Sequence, residues 1–213
     1  TAELAFALTL AGLRHIVQSH NDALQGEWDY TKYIGRQMNC LTVGVIGYGR
    51  LGRMYAKYCQ AFGARVLVHD PYKTVEDEDC VQLGKLEELL VESDVISIHV
   101  HVTEETYGLL DRNMLAKLRN DVLLVNTSRG DILHEAELVK FLADNPESLV
   151  AADVLADEVR GRLSSPLLEY AKTSDQVILT QHIGGMTSDA QSIAYSHAAN
   201  MLREHLQNLR HDQ

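Results

Sequence analysis

Hydrophobic positions along the chain fall into two alternating patterns. Short runs rich in β-branched residues recur at Thr42–Ile46, Arg65–His69, Asp94–Val100, Val122–Asn126, Leu149–Asp153 and Val177–Leu179. Polar or glycine-containing stretches bound each run, as expected for strands buried on both faces. Between them lie segments with apolar residues at helical spacing: Leu51–Phe62, Leu83–Glu92, Asn113–Leu118, His134–Asp144 and Pro166–Ala171. Strand and helix in alternation predict a parallel sheet with helices on both faces, a doubly wound α/β domain. Acidic Pro71–Asp79 and the stretch Val159–Ser165 read as loops.

The two ends of the chain break this rhythm. Thr1 to about His20 reads as one helix, apolar nearly all round through Leu4, Phe6, Leu8, Leu10, Leu13 and Ile16. Such a helix is predicted to be buried on more than one side, in the core or between domains or subunits. It is too apolar to face water alone, which points to a homodimer formed through it. Asn21–Asn39 is polar and turn-rich and holds the single tryptophan, Trp28, read as a packing anchor. Ser188 is placed to cap a last long helix running to about Gln207, with Ile193, Ala194, His197, Met201 and Leu202 at helical spacing. The tail Arg210–Gln213 is expected to fray. The chain thus divides into a helix and linker over 1–40, a βα domain over 41–187 and a C-terminal helix over 188–213.

The most informative stretch is Gly47-Tyr-Gly49-Arg-Leu-Gly52, which lies between the first strand and the first crossover helix. In this G-x-G-x-x-G spacing Gly47 permits the tight turn. Gly49 lets a pyrophosphate approach the backbone, and Gly52 lets helix and strand pack closely. The helix then turns its free N–H groups and partial positive charge toward the phosphates. Asp70 ends the next strand about 20 residues on, where a carboxylate accepts hydrogen bonds from ribose hydroxyls. Its charge repels a 2′-phosphate, and Pro71 and Tyr72 follow it with no immediate cation. The expected cofactor is NAD, on a Rossmann fold.

Charge and cysteine usage narrow the partners. A net charge of −11 without a Lys/Arg cluster disfavours nucleic acid and anionic membranes. No apolar run is long enough to span a bilayer. Cys40, Cys59 and Cys80 are unpatterned and read as reduced thiols of a cytoplasmic protein. His99 and His101 stand two apart on one strand, but no third ligand follows by spacing, and no metal is expected.

Three ionisable residues stand just beyond strand ends: Arg129, Glu158 and His182. Reduction of a 2-keto acid by hydride needs such a set. A guanidinium grips the substrate carboxylate bidentately. An imidazole gives the carbonyl oxygen its proton, and a neighbouring carboxylate orients that imidazole.

The chain resembles the nucleotide-binding half of the D-isomer-specific 2-hydroxyacid dehydrogenases. The likeness rests on Ala2-Glu-Leu-Ala5 with Leu13-Arg-His15, Gly26-x-Trp28, Val43–Gly52, Ser97–Val100, Thr106-x-Gly108-Leu109, Val125-Asn-Thr-Ser-Arg-Gly130, Ala152-Asp-Val154 and His182-Ile-Gly-Gly185. The resemblance implies that Arg129 binds and polarises the substrate, that His182 is the general acid or base, and that Glu158 is its partner. It further implies that Arg50 and Leu51 meet the pyrophosphate through backbone N–H groups. Val100, Thr127, Ser128 and Asp153 would line the nicotinamide and its ribose, with Gly184 alongside. Gln181 and His101 depart from the family, each standing where proline is common, and Asn120-Asp121 replaces a Pro-Gly turn. The family's substrate domain is absent from this chain, so the isolated domain is expected to bind NADH and turn over substrate poorly. The alternative is an NAD-sensing module like the corepressors of this fold. Which 2-hydroxy acid is used is not written in this half.

Overall fold

The computed structural model describes residues 1–156, 158 and 164–211. Its strands are β1 (Thr42–Ile46), β2 (Arg65–His69), β3 (Cys80–Gln82), β4 (Val95–Ile98), β5 (Leu123–Asn126), β6 (Leu149–Ala152) and β7 (Val177–Leu179). Its helices are α1 (Ala2–Leu13), α2 (Ile16–Leu24), α3 (Arg50–Ala61), α4 (Leu86–Glu92), α5 (Arg112–Leu115), α6 (Glu135–Asp144), α7 (Pro166–Ala171) and α8 (Ser188–His211). The strands form one parallel sheet in the order β3-β2-β1-β4-β5-β6-β7. This is the doubly wound Rossmann arrangement expected from the alternation. The chain winds outward from β1 through β2 and β3, then returns to β4 on the other side of β1. That reversal opens a crevice beyond the carboxyl ends of β1 and β4.

Alternate strand residues feed two cores, one on each face. Val43 and Val45 of β1, Val95 of β4, Leu123 and Val125 of β5 and Ala151 of β6 pack with Ala5, Leu8, Tyr55 and Cys59 from α1 and α3. Ile46, Ile96, Ile98, Leu124 and Val150 pack on the opposite face with residues of α4, α5, α6 and α7. The period-2 alternation of the strands therefore holds although both faces are apolar. Tyr55 is fully buried, and its hydroxyl reaches Thr9 Oγ1 at 2.8 Å, while Thr9 itself donates to the Ala5 carbonyl.

The structure departs from the sequence expectation in several places. The sheet has seven strands, not six. β3 is a three-residue edge strand with mostly exposed side chains, so no apolar run announces it. The first helix is two helices. His15 takes a left-handed backbone, φ 49°, and the Leu13 carbonyl accepts the Arg36 N–H at 2.9 Å instead of continuing the helix. α1 lies on its own sheet against β5, β6 and α3, so much of its apolar surface is covered from within. The exposed large apolar groups of this region are Ile16, Val17 and Leu24 of α2 and, beyond it, Trp28, Tyr30 and Ile34. Trp28 is 89% exposed and is no packing anchor among the described residues. Helix α8 is capped by Thr187, whose Oγ1 accepts the Ala190 N–H at 3.1 Å, and not by Ser188. It runs on to His211, past the expected end, so Arg210 is helical; residues 212 and 213 lie outside the described residues. Most of the loop expected over 159–165 also lies outside them. Among the described residues no helix is long and apolar enough to cross a membrane. Burial pushes the Cys59 thiol up to about 12 and raises that of Cys80, so neither is a thiolate at neutral pH.

His99 sits just past β4. Part of the residue reaches the surface, but Nδ1 is shut away without a partner among the described residues, Nε2 lies 2.9 Å from Ser97 Oγ, and the ring is 5.0 Å from that of Tyr55. Burial lowers its pKa to about 4 from an ordinary 6.5. Between those values the unfolded chain binds a proton that the folded chain refuses, so stability falls as pH drops through this window. The expected loss attributable to His99 is up to about 3 kcal/mol from pH 6.5 to 4. Urea unfolding of the parent and of His99→Gln at a series of pH values measures it. The variant should show the shallower acid loss; equal losses would clear His99 of the effect.

Candidate active site

All seven strands point their carboxyl ends to one side, and the predicted site residues stand on the loops there. At the β1–β4 crevice Gly47 has φ 92°, which a side chain rarely tolerates, and an added Cβ would press on Val100 Cγ1 at 2.7 Å. Val100 therefore faces the fingerprint loop directly. Gly52 is equally constrained, since its Cβ would lie 2.0 Å from the Gly47 carbonyl oxygen. Gly49 is different: nothing lies within 4 Å of where its Cβ would stand. It is the N-cap of α3 without a side-chain cap, so the N–H groups of the first turn, including those of Arg50 and Leu51, face open space.

Asp70 follows β2, half-buried. Its Oδ2 accepts the Tyr48 N–H at 2.7 Å, and its Oδ1 accepts those of Tyr72 and Lys73 at 2.9 and 3.0 Å. The carboxylate thereby braces the glycine loop; two donors fill Oδ1, and Oδ2 keeps a lone pair for a ribose hydroxyl. Beside Tyr48 a cavity of about 400 Å³ is walled by Arg53, Lys57, Lys73, Glu76 and Asp77. Sequence reasoning missed these three cations, because two of them come from α3 and not from the residues next to Asp70.

Beyond β5 the run Asn126–Gly130 is built by its own side chains. Buried Asn126 accepts the Ser128 N–H at 3.0 Å and donates to the Arg129 carbonyl at 2.9 Å. Ser128 donates across to the Ile98 carbonyl at 2.8 Å. Thr127 is buried, and among the described residues its Oγ1 has no hydrogen-bond partner. Arg129 is exposed, with Nη1 donating to the Ser128 carbonyl at 2.6 Å. Most of the guanidinium's donors remain free for a planar anion.

Beyond β6 and β7 stand Asp153, Glu158 and His182. Asp153 is buried, and its carboxylate accepts the Thr180 hydroxyl at 2.5 Å, the Ile183 N–H at 2.9 Å and the Gly184 N–H at 2.8 Å. These bonds hold His182 in a left-handed backbone, φ 54°, an uncommon state for a residue with a side chain. His182 Nδ1 lies 2.6 Å from Glu158 Oε1. An ionised carboxylate only accepts, so Nδ1 is the donor of this pair and Nε2 is the nitrogen turned to the site. Among the described residues Nε2 has no partner, and the His182 side chain is 45% exposed.

Of the expected trio, Glu158 and His182 are in contact. Arg129 follows β5, the neighbour of β6, so the three residues stand at the ends of three adjacent strands. His99 and His101 part company: His99 is turned inward, and His101 is exposed beyond the strand. The features at the crevice suit a dinucleotide. Open space over Gly49, uncapped N–H groups at α3, an acceptor at Asp70 and an orphaned hydroxyl at Thr127 are what a diphosphate and two ribosides would complete.

Comparisons with known proteins agree. The family described as D-isomer specific 2-hydroxyacid dehydrogenase, NAD binding domain, matches residues 6–184. The chain is 37% identical over 193 residues to the D-3-phosphoglycerate dehydrogenase of Archaeoglobus fulgidus, covering 90% of this chain and 36% of that protein. It is 35% identical over 195 residues to the hydroxypyruvate reductase of Thermotoga maritima, covering 89% and 61%. The crystal structure of a D-lactate dehydrogenase from Aquifex aeolicus, complexed with NAD and lactic acid, superposes with a TM-score of 0.87 at 29% identity, covering 97% of this chain and 66% of that one. The chain thus spans little more than a third of the phosphoglycerate dehydrogenases it matches.

Gly49 offers a clean test of the crevice. Gly49→Val places a side chain in empty space at φ −71°, an ordinary value, so the fold should keep its melting temperature. The same side chain occupies the diphosphate's room. Fluorescence titration should show NADH affinity reduced at least tenfold, roughly 1.4 kcal/mol or more. Unchanged affinity would place the diphosphate elsewhere.

Proposed function

Because the chain belongs to the D-isomer specific 2-hydroxyacid dehydrogenase family, as its NAD-binding domain, we propose that it serves reversible hydride transfer between NAD(H) and a short 2-keto or 2-hydroxy acid. The observation that carries this reading is the 2.6 Å contact of His182 with Glu158, next to the strand that delivers Arg129. In this reading Gly49, Arg50, Leu51 and Gly52 bind the pyrophosphate, and Asp70 takes the adenine ribose. Val100, Thr127, Ser128, Asp153 and Gly184 line the nicotinamide end. When bound, NADH supplies the hydride. Arg129 pairs with the substrate carboxylate and draws charge from the carbonyl. His182 passes a proton to the carbonyl oxygen from Nε2 in reduction and takes it back in oxidation. Glu158 holds the ring by Nδ1 and so orients Nε2.

We infer that a substrate domain, as the family resemblance implies, forms the second wall of such a cleft, and its closure would exclude water. We assign α8, whose Ile193, Tyr195, Met201 and Leu202 are exposed, to contact with that substrate domain. The isolated domain should therefore bind NADH and reduce keto acids poorly. We place the protein in the cytoplasm, as a homodimer through the N-terminal helical region, where Ile16, Leu24, Trp28, Tyr30 and Ile34 meet solvent.

The test is NADH-dependent reduction of a panel of 2-keto acids by the full-length protein. His182→Ala should lower kcat by about 10²–10⁴ with NADH affinity unchanged. Arg129→Lys should raise KM for the keto acid, because an ammonium cannot reproduce the bidentate grip. Full turnover in His182→Ala would remove His182 from the acid–base role, and a parent that reduces no 2-keto acid would sink the enzymatic reading and favour an NAD-sensing module. For the dimer, sedimentation velocity should show a species of twice the chain mass that Trp28→Ala weakens. A monomer at all concentrations would remove that part.

A further inference from the structure

Glu135 begins α6 with only 5% of its surface exposed. Among the described residues no lysine or arginine pairs with it. Its carboxylate instead accepts two neutral donors: Oε1 takes the Ala156 N–H at 2.7 Å, and Oε2 takes the Ser165 hydroxyl at 2.6 Å. The amino end of α6 adds a favourable partial charge. A buried carboxylate without such bonds would be costly, so the three features form one unit.

The two donors flank Glu158 in the chain. Ala156 precedes it and Ser165 follows it, so both stems of the loop that carries Glu158 are tied to one side chain. Ser165 is fixed in turn, since its Oγ accepts the Leu168 N–H at 3.1 Å and starts α7. The near stem is also pressed against the Arg129 turn. A Cβ on Gly130 would lie 2.0 Å from the Leu155 carbonyl carbon and 2.1 Å from the Ala156 nitrogen, so only a glycine fits there. Glu135 thus joins the segment after Arg129 to the segment that brings Glu158 to His182.

We propose that Glu135 is a positioning residue that sets Glu158 against His182, and through it fixes which ring nitrogen of His182 carries the proton. This rests on the reading that the Glu158–His182 pair performs the acid–base step. A carboxylate that only glued α6 to α7 would affect stability and leave the imidazole alone. The state of the His182 ring separates the two.

The experiment is ¹⁵N NMR of the His182 ring in this chain above the imidazole's titration range, so that the neutral ring is read. The parent should show a protonated Nδ1 and an unprotonated Nε2. Glu135→Leu, of similar size and unable to accept, should lose that preference and drift to the Nε2–H form that free imidazole favours. Glu135→Gln should restore it, its oxygen accepting from Ala156 and its amide donating to Ser165 Oγ. NADH affinity should stay within about twofold in both variants, because α3 and the glycine loop are untouched. In the full-length protein Glu135→Leu should lower kcat at least about tenfold, with Glu135→Gln recovering most of it. If Glu135→Leu does not fold, Glu135→Asp, a methylene shorter and unable to span both donors, should show the same drift. A parent ring without a protonated Nδ1 would refute the acid–base reading itself. A parent ring with one, unchanged in Glu135→Leu or Glu135→Asp, would overturn the role of Glu135 alone.

Discussion

A sheet whose strands all run one way has a single edge where carboxyl ends meet, and every chemically equipped loop of this chain is confined to that edge. The constraint is topological before it is chemical. Parallel strands need crossovers, the crossovers cover both faces, and only the two ends of the sheet remain open. The reversal between β1 and β4 then opens a crevice at the switch point, where such sheets bind dinucleotides. Arg129, Glu158 and His182, distant in sequence, follow adjacent strands for the same reason.

Loops at such an edge need internal bracing, and here buried polar side chains provide it. Asn126 shapes the turn before Arg129, Asp153 holds the loop after His182, and Asp70 binds the glycine loop to the end of β2. Each accepts from backbone N–H groups that would otherwise stand orphaned in a low-dielectric setting. Each net bond contributes only about 1 kcal/mol, while an unmade one costs about 1–3 kcal/mol. These braces define one loop geometry more than they add stability, which suits a site where a tilted ring loses its function.

Much of this was legible in the sequence because the signals were local. β-branched runs marked six strands, and the glycine spacing marked the crevice. The residues after strand ends marked the candidate trio. What stayed hidden depended on contacts across the fold. β3 is too short and too exposed to carry a pattern. The break at His15 exists because Arg36 reaches back to the Leu13 carbonyl. The apolarity of α1 pointed to a partner, whereas much of its surface is spent on β5, β6 and α3. Glu135 looks like any acid in the first turn of a helix, and only its two donors from a distant loop distinguish it. Asp153 was expected near the cofactor, but the bonds that occupy it could be seen only once the His182 loop was folded against it.

The positive φ of His182 sets two demands on one position against each other. A left-handed backbone costs an ordinary L-residue about 1–2 kcal/mol, and glycine would escape that penalty. Yet glycine carries no imidazole. A lineage selected for robustness alone would drift toward the smaller residue there, and one that retains histidine gives up resilience for chemistry.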